Sequence, residues 1–178
     1  MGFERIWAPW RLAYVKGEGA ELQPADCKLE LLPGGDPECF ICQAVADTAD
    51  RRRYVLARTE HSITILNLYP YNTGHLLIAP RLHRARLDEL TDGEQIELAQ
   101  TLTRMVGLLE KVLRPQGFNV GLNLGRAAGA GLPGHLHWHV VPRWVGDTNF
   151  MPVMASVRVI PDSLDALWQA LTEALAES

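Results

Sequence analysis

Residues 134–144 read GHLHWHVVPRW, and His135, His137 and His139 take up three of the six histidines in this 178-residue chain. Alternation of two is the period of a strand. Successive side chains point to opposite faces, so the three imidazoles share one face while Leu136, Trp138 and Val140 share the other. On a helix the same spacing would scatter the rings around the axis. At a rise of roughly 3.3 Å per residue the imidazoles form a row about 7 Å apart, rooted in the core by the apolar set. The plain alternative is a half-exposed strand that carries its histidines by chance.

Working outward, FNVGLNLG at 118–125 alternates Phe118, Val120, Leu122 and Leu124 against Asn119, Gly121 and Asn123, which predicts a second strand with one apolar face. Between the two strands runs GRAAGAGLPG, a loop whose glycines let backbone N–H groups approach an anion closely. Further back, SITILNLYPYNTGHLLIAP at 62–80 has two β-rich apolar runs around a Pro-Tyr-Asn-Thr-Gly turn and predicts a hairpin. LTDGEQIELAQTLTRMVGLLEKVLRP follows at 90–115, with Ile96, Ala99, Leu102, Val106, Leu109 and Leu113 at helical spacing. Thr91 and Glu94 suit a capping box, and Pro115 stops the run. SLDALWQALTEALAE at 163–177 predicts a closing helix. Strand, strand, helix, strand, strand without regular βαβ alternation gives the expected class, α+β on an antiparallel sheet.

One domain is expected over residues 1–178: an irregular arm at 1–50, a core at 54–152 and a C-terminal extension at 153–178. Residues 16–38 mix Gly, Pro and acids without a period and read as loops. Composition bounds the function. A net charge of −4 argues against a generic nucleic-acid binder, which would carry a basic excess. The N-terminal MGFERIWAPWRLAYVKG has no uninterrupted apolar stretch of the signal-peptide kind, and Ile6 stands where myristoylation wants Ser or Thr. No run approaches the roughly 20 apolar residues of a membrane span. The expectation is a cytoplasmic protein with no membrane partner, whose Cys27, Cys39 and Cys42 are thiols or metal ligands rather than bridges.

A row of imidazoles has two strong chemical uses. Two histidines two apart can chelate a catalytic zinc, or one neutral imidazole can attack phosphorus while its neighbours polarise the phosphate oxygens. The Gly-rich loop directly upstream favours the second. Cys39-x-x-Cys42 is a separate constellation. It is open to a redox role, to half of a tetrahedral zinc site, or to no role at all.

HLHWHVV fits the pattern His-φ-His-φ-His-φ-φ, with φ apolar, and so resembles the histidine triad (HIT) superfamily of nucleotidyl hydrolases and transferases. LNLYPYNTGHLLIAPRLH resembles that family's first hairpin and FNVGLNLG its strand before the phosphate loop. WAPWR and GDTNFMPV resemble the bacterial branch described as diadenosine tetraphosphate phosphorylases or hydrolases. The resemblance implies an enzyme that cleaves the phosphoanhydride of a dinucleoside polyphosphate through a nucleotidyl-histidine intermediate. His137 would be the nucleophile and His139 a ligand of the α-phosphate. Asn67 would hold the ribose, His75 would stand near the same site, and Asn123 with the backbone of Gly129 and Gly131 would complete the phosphate contacts. The plain alternatives are that Asn67 caps the hairpin turn and that His75 packs at a strand start.

By the same resemblance Cys39, Cys42, His83 and His135 form a structural zinc site, the cofactor expected here, and the chain is expected to be a homodimer. Trp7, Trp10 and Arg11 are expected to pack over a sheet edge or, less readily, to reach the second copy. Two departures matter. Gly131 stands where many hydrolases of the family carry Gln, which leaves inorganic phosphate or water open as acceptor and leans toward phosphorolysis. His139 is retained where the uridylyltransferase branch has Gln. A nucleotide-sensing module and a metallohydrolase remain the contrary readings.

Overall fold

A computed structural model of the chain describes residues 29–147 and 163–177. The expectations for Trp7, Trp10, Arg11 and Cys27, and for GDTNFMPV beyond Asp147, lie outside the described residues. Five strands form one sheet: β1 (Val55–Arg58), β2 (Ser62–Leu66), β3 (Leu76–Pro80), β4 (Gly117–Leu122) and β5 (Trp138–Arg143). Their order is β1-β2-β3-β5-β4, and every neighbouring pair is antiparallel. The α-helices among the described residues are α1 (Phe40–Ala46), α2 (Asp92–Leu113) and α3 (Leu164–Ala176). The α+β class holds, with β2 and β3 as the expected hairpin.

The two faces of the sheet are covered differently. Leu66, Leu76, Ile78 and Val140 pack with α2 and α3 into the larger core. Ile63, Ile65 and Ala79, one residue out of phase along the same strands, pack against α1 through Ile41, Ala44 and Val45. A strand buried on both faces loses its polar alternation; hence the unbroken apolar runs in the hairpin.

Three expectations need correction. Residues 1–50 are not all irregular, because α1 forms directly after the acidic and Pro-rich stretch. Cys39 is its N-cap, with Sγ accepting from Cys42 N–H at 3.4 Å. At the other end, the Arg58 guanidinium donates to the carbonyls of Ala44 (2.7 Å), Val45 (3.0 Å) and Asp47 (2.7 Å), satisfying the orphan acceptors of the last turn. β1, a short arginine-ended strand, also escapes a period-two reading.

The second correction concerns α2. Its capping box and its end before Pro115 are as expected, with Arg114 left-handed at φ 49°. Its buried stripe, however, runs through Glu94, Leu98, Thr101, Met105, Leu108 and Leu109, leaving Ile96 59% exposed. Two of those inward residues are polar and are satisfied in place. Glu94 bonds Thr91, and Thr101 Oγ1 lies 3.1 Å from Ser62 Oγ. Polar residues on the inner face disguise the stripe.

The third concerns the strands flanking the Gly-rich loop. β5 starts only at Trp138, so His135, at a bend after the Leu132 turn, and His137 lie in the lead-in to the strand rather than in a regular ladder. β4 is an edge strand, and Val120 is 43% exposed. Its apolar alternation is real, but at the sheet edge it is not fully covered.

Candidate functional site

His139 lies opposite Leu77 in β3 and Gly121 in β4. His75 precedes Leu77 by two residues and therefore points to the same face. This is the face opposite α2. His75 Nε2 lies 2.9 Å from His139 Nδ1, the ring centroids of His137 and His139 are 4.9 Å apart, and Asn123 Nδ2 lies 3.5 Å from His139 Nε2. The structure thus brings together His75, Asn123, His137 and His139, with Asn67 behind His75.

The hydrogen bonds decide which nitrogen of each ring carries its proton. His75 Nδ1 receives the backbone N–H of Tyr71 at 3.0 Å and faces Asn67 Nδ2 at 3.1 Å. Asn67 Oδ1 meanwhile accepts from Tyr69 N–H at 3.1 Å, which orients the amide with its NH2 toward His75. His75 Nδ1 is therefore an acceptor, its proton sits on Nε2, and it donates to His139 Nδ1. His139 in turn carries its proton on Nε2, toward Asn123, where the oxygen end of the amide is the complementary one.

His137 Nδ1 lies 2.8 Å from the backbone carbonyl of His135. A carbonyl only accepts, so His137 is protonated on Nδ1 and its Nε2 keeps a free lone pair. Burial pulls His137 below the ordinary histidine range, with the His135 carbonyl opposing it. Burial, aided by the neighbouring His137, pulls His139 down to about 4. Both rings are neutral near neutral pH, as a nitrogen nucleophile and a neutral donor require.

His135 turns the other way. Its Nε2 lies 2.9 Å from the carbonyl of Pro80, so Nε2 carries the proton and Nδ1 the lone pair. That nitrogen faces Cys39 Sγ at 3.3 Å and Cys42 Sγ at 3.5 Å, while His83 Nδ1 lies 3.2 Å from Cys42 Sγ. All four ligand atoms fall within 4.8 Å of one another. Metal–ligand bonds of roughly 2.3 Å to sulfur and 2.0–2.1 Å to nitrogen give tetrahedral edges of roughly 3.3–3.8 Å, so the cluster fits a zinc ion. Its carbonyl-oriented histidine is the usual support of such a ligand. Burial pushes the Cys39 thiol up to about 12, a cost that a bound cation would reverse.

The Gly-rich loop is only partly free for an anion. Gly129, at φ 86°, ends a tight turn over Arg126–Ala128, and its N–H is spent on Arg126 O at 3.0 Å. The N–H of Ala130 goes to Gly125 O at 3.3 Å. Among the described residues the Gly131 N–H makes no such backbone bond, in contrast to that of Gly129. The side-chain pattern also missed Tyr71, whose ring lies 4.7 Å from that of His75 and 5.8 Å from that of His139. The only signal in sequence was an aromatic in the turn four residues before His75.

With this geometry in view, comparison with known proteins is specific. The HIT domain family matches residues 49–145. The AP-4-A phosphorylase of Mycobacterium tuberculosis is 38% identical over 161 residues, covering 90% of this chain and 78% of that protein. The asymmetrical bis(5'-nucleosyl)-tetraphosphatase of Schizosaccharomyces pombe is 34% identical over 93 residues, covering 52% of this chain and 50% of its own. Among solved structures, a Zn-bound histidine triad family protein from Mycobacterium smegmatis superposes with a TM-score of 0.65 at 28% identity, over 80% of this chain and 96% of that one.

Proposed function

The chain belongs to the HIT domain family, and from that premise we propose that it is a nucleotidyltransferase cleaving diadenosine tetraphosphate or a related dinucleoside polyphosphate by way of a nucleotidyl-His137 intermediate. One observation carries the reading: the bond from His137 Nδ1 to the His135 carbonyl, which leaves Nε2 unprotonated and ready to attack. The Nε2 lone pair bonds to the α-phosphorus as the bond to the bridging oxygen breaks, and ATP leaves with that electron pair. The ring proton stays on Nδ1, where the carbonyl stabilises the charge of the substituted imidazole. His139 offers its Nε2–H to the phosphoryl oxygen, with His75 fixing the tautomer. Asn123 and the Gly131 amide would bind the same group; the ribose role proposed for Asn67 rests on the family resemblance, since here its amide holds the turn through Tyr69 N–H and His75 Nδ1.

Inorganic phosphate is the proposed acceptor, since the 38% identical relative is named a phosphorylase. Attack by a phosphate oxygen frees His137 and yields ADP; attack by water yields AMP. Turnover of diadenosine tetraphosphate with and without phosphate distinguishes the two. ADP plus ATP is expected, whereas AMP plus ATP at saturating phosphate gives the hydrolase reading. An alkaline quench followed by intact-mass measurement should catch the adenylylated chain, because acid cleaves a phosphoramidate. Nucleotide binding without any turnover would mark a sensing module instead.

Cys39, Cys42, His83 and His135 would hold a structural zinc that ties α1 to the lead-in of β5. With four protein ligands such a site supplies cross-linking rather than an activated water. A homodimer belongs to the same reading, supported by the sheet edge at β4, where Val120 and Leu124 are 43% and 48% exposed. No helix among the described residues is long and apolar enough to cross a membrane, which suits the proposed cytoplasmic setting.

A further inference from the structure

Tyr71 touches the reactive histidines twice, once through its backbone and once through its ring. Its N–H donates to His75 Nδ1 at 3.0 Å, which sets the tautomer that hands a hydrogen bond on to His139. Its ring lies over both imidazoles, tilted 32° to His75 and near-parallel, at 26°, to His139. The residue is 39% exposed, so the ring is a cover with one side toward the pair rather than part of a core.

The turn that carries it is held at several points. His75 N–H reaches Asn72 O at 3.2 Å, and Asn67 N–H reaches His75 O at 2.9 Å. Asn72 Nδ2 donates to the Pro142 carbonyl at 3.1 Å and to Asp147 Oδ2 at 2.8 Å. The loop is thereby tied to the far end of β5, the strand that bears His139. Ring position and histidine position are set by one framework.

We infer that Tyr71 is a positioning residue for the His75–His139 pair, its ring screening their hydrogen bond from water so that His139 keeps its Nε2–H aimed at the phosphoryl group. The inference rests on the proposed nucleotidyl-transfer reading. The physical basis is twofold. A hydrogen bond in a drier setting is stronger and better directed, and removing water from an imidazole disfavours its charged form. His139 is faced by His137 from its own segment, by His75 from the start of β3, by Tyr71 from the turn and by the uncharged amide of Asn123 from the end of β4. Among these groups the ring of Tyr71 is the cover that can be removed without deleting a hydrogen-bonding partner of His139.

The test compares Tyr71→Ala, which keeps the backbone N–H and loses the ring, with Tyr71→Phe, which keeps both. NMR titration of the His139 ring in substrate-free protein should show its protonation moving up by about one pH unit in Tyr71→Ala. It should stay at the wild-type position in Tyr71→Phe. On diadenosine tetraphosphate, kcat for Tyr71→Ala should fall roughly tenfold with KM within about twofold, because the loss is one of orientation during transfer rather than of binding. Tyr71→Phe should recover the wild-type kcat.

A Tyr71→Ala protein with the wild-type His139 titration and kcat overturns the inference. So does a Tyr71→Phe protein as impaired as Tyr71→Ala, since the ring would then not be the operative part. A fall in thermal stability without a change in the His139 titration also overturns it, marking Tyr71 as surface packing. If the wild-type protein turns over no dinucleoside polyphosphate, the functional reading fails by itself. The ring titration, which needs no substrate, still decides the role of Tyr71.

Discussion

His135 and His137 are two residues apart in the segment leading into β5, are both buried, and each gives one ring N–H to a backbone carbonyl. They differ in which nitrogen gives it. His135 spends Nε2 on Pro80 and turns Nδ1 to two thiols; His137 spends Nδ1 on His135 and keeps Nε2 free. On the proposed reading, the choice of carbonyl, more than the choice of amino acid, separates the metal ligand from the nucleophile. A row of identical side chains can therefore divide its labour when the backbone around it offers acceptors at different heights.

The largest effect that could break this division is at His137. His137→Ala should lower turnover by at least about 10⁴-fold while nucleotide affinity stays within a few-fold, since Asn67, Asn123 and the Gly131 amide remain. Steady-state rates and a binding titration check this, and a variant retaining near wild-type rate removes the nucleophile from His137. On the other side of the division, Cys39→Ser or Cys42→Ser should cost bound zinc, measured by elemental analysis, and lower Tm by roughly 10 °C or more. Turnover per folded molecule should fall much less. The opposite pattern, reversible loss of activity on chelation with the fold intact and zinc retained in the cysteine variants, would hand the ion to the histidine row and favour a metallohydrolase.

A smaller effect should come from the support of α1. Burial alone would raise the Asp47 carboxyl, but hydrogen bonds from Arg52, the Ala49 N–H and Arg53 outweigh it and hold the group down at about 2. A carboxylate held below its ordinary 3.8 stabilises the fold above that value and loses its contribution as pH falls through about 2. The shift corresponds to about 2 kcal/mol, so Asp47→Asn should reduce unfolding free energy by about that amount at pH 7 and by little near pH 2. Denaturant titration at the two pH values measures it, and the phosphate chemistry should be untouched.

The most gradual effect is acid inactivation. The unfolded chain protonates His139 near the ordinary 6.5, whereas the folded chain does so only at about 4. Its neutral form therefore favours folding fully above 6.5, and that contribution is lost progressively as pH falls toward about 4. The kcat/KM profile should accordingly stay flat from neutrality well into the acid range and decline as His139 protonates. A decline centred near the ordinary histidine value would mean that His139 is not screened as described.

Much of this protein was legible in its sequence because the signals were local. Periodicity marked the hairpin, α2 with its Thr91–Glu94 box, α3 and the β4 run. Alternation marked His135, His137 and His139 as a unit, and the family resemblance joined Cys39, Cys42 and His83 to them. The sequence misled where a polar residue was satisfied inside. Glu94 and Thr101 lie on the buried face of α2, so the apolar spacing that begins at Ile96 does not mark that face, and Ile96 is exposed. It was silent on α1, whose first turn is capped by a cysteine and whose last turn is closed by an arginine from β1.

By itself, then, the sequence determined which residues are the candidates for the chemistry, since residue type and a period of two are properties of a short stretch of chain. What tertiary structure alone decided is the state of each ring. His135 takes its orientation from a carbonyl 55 positions away, His139 from a histidine 64 positions away, and His75 from the backbone of a turn. Backbone carbonyls and N–H groups are the same in every residue and leave no mark in a side-chain pattern. Only folding brings a particular one within hydrogen-bonding distance of a particular nitrogen, and that contact determines where the proton and the lone pair lie.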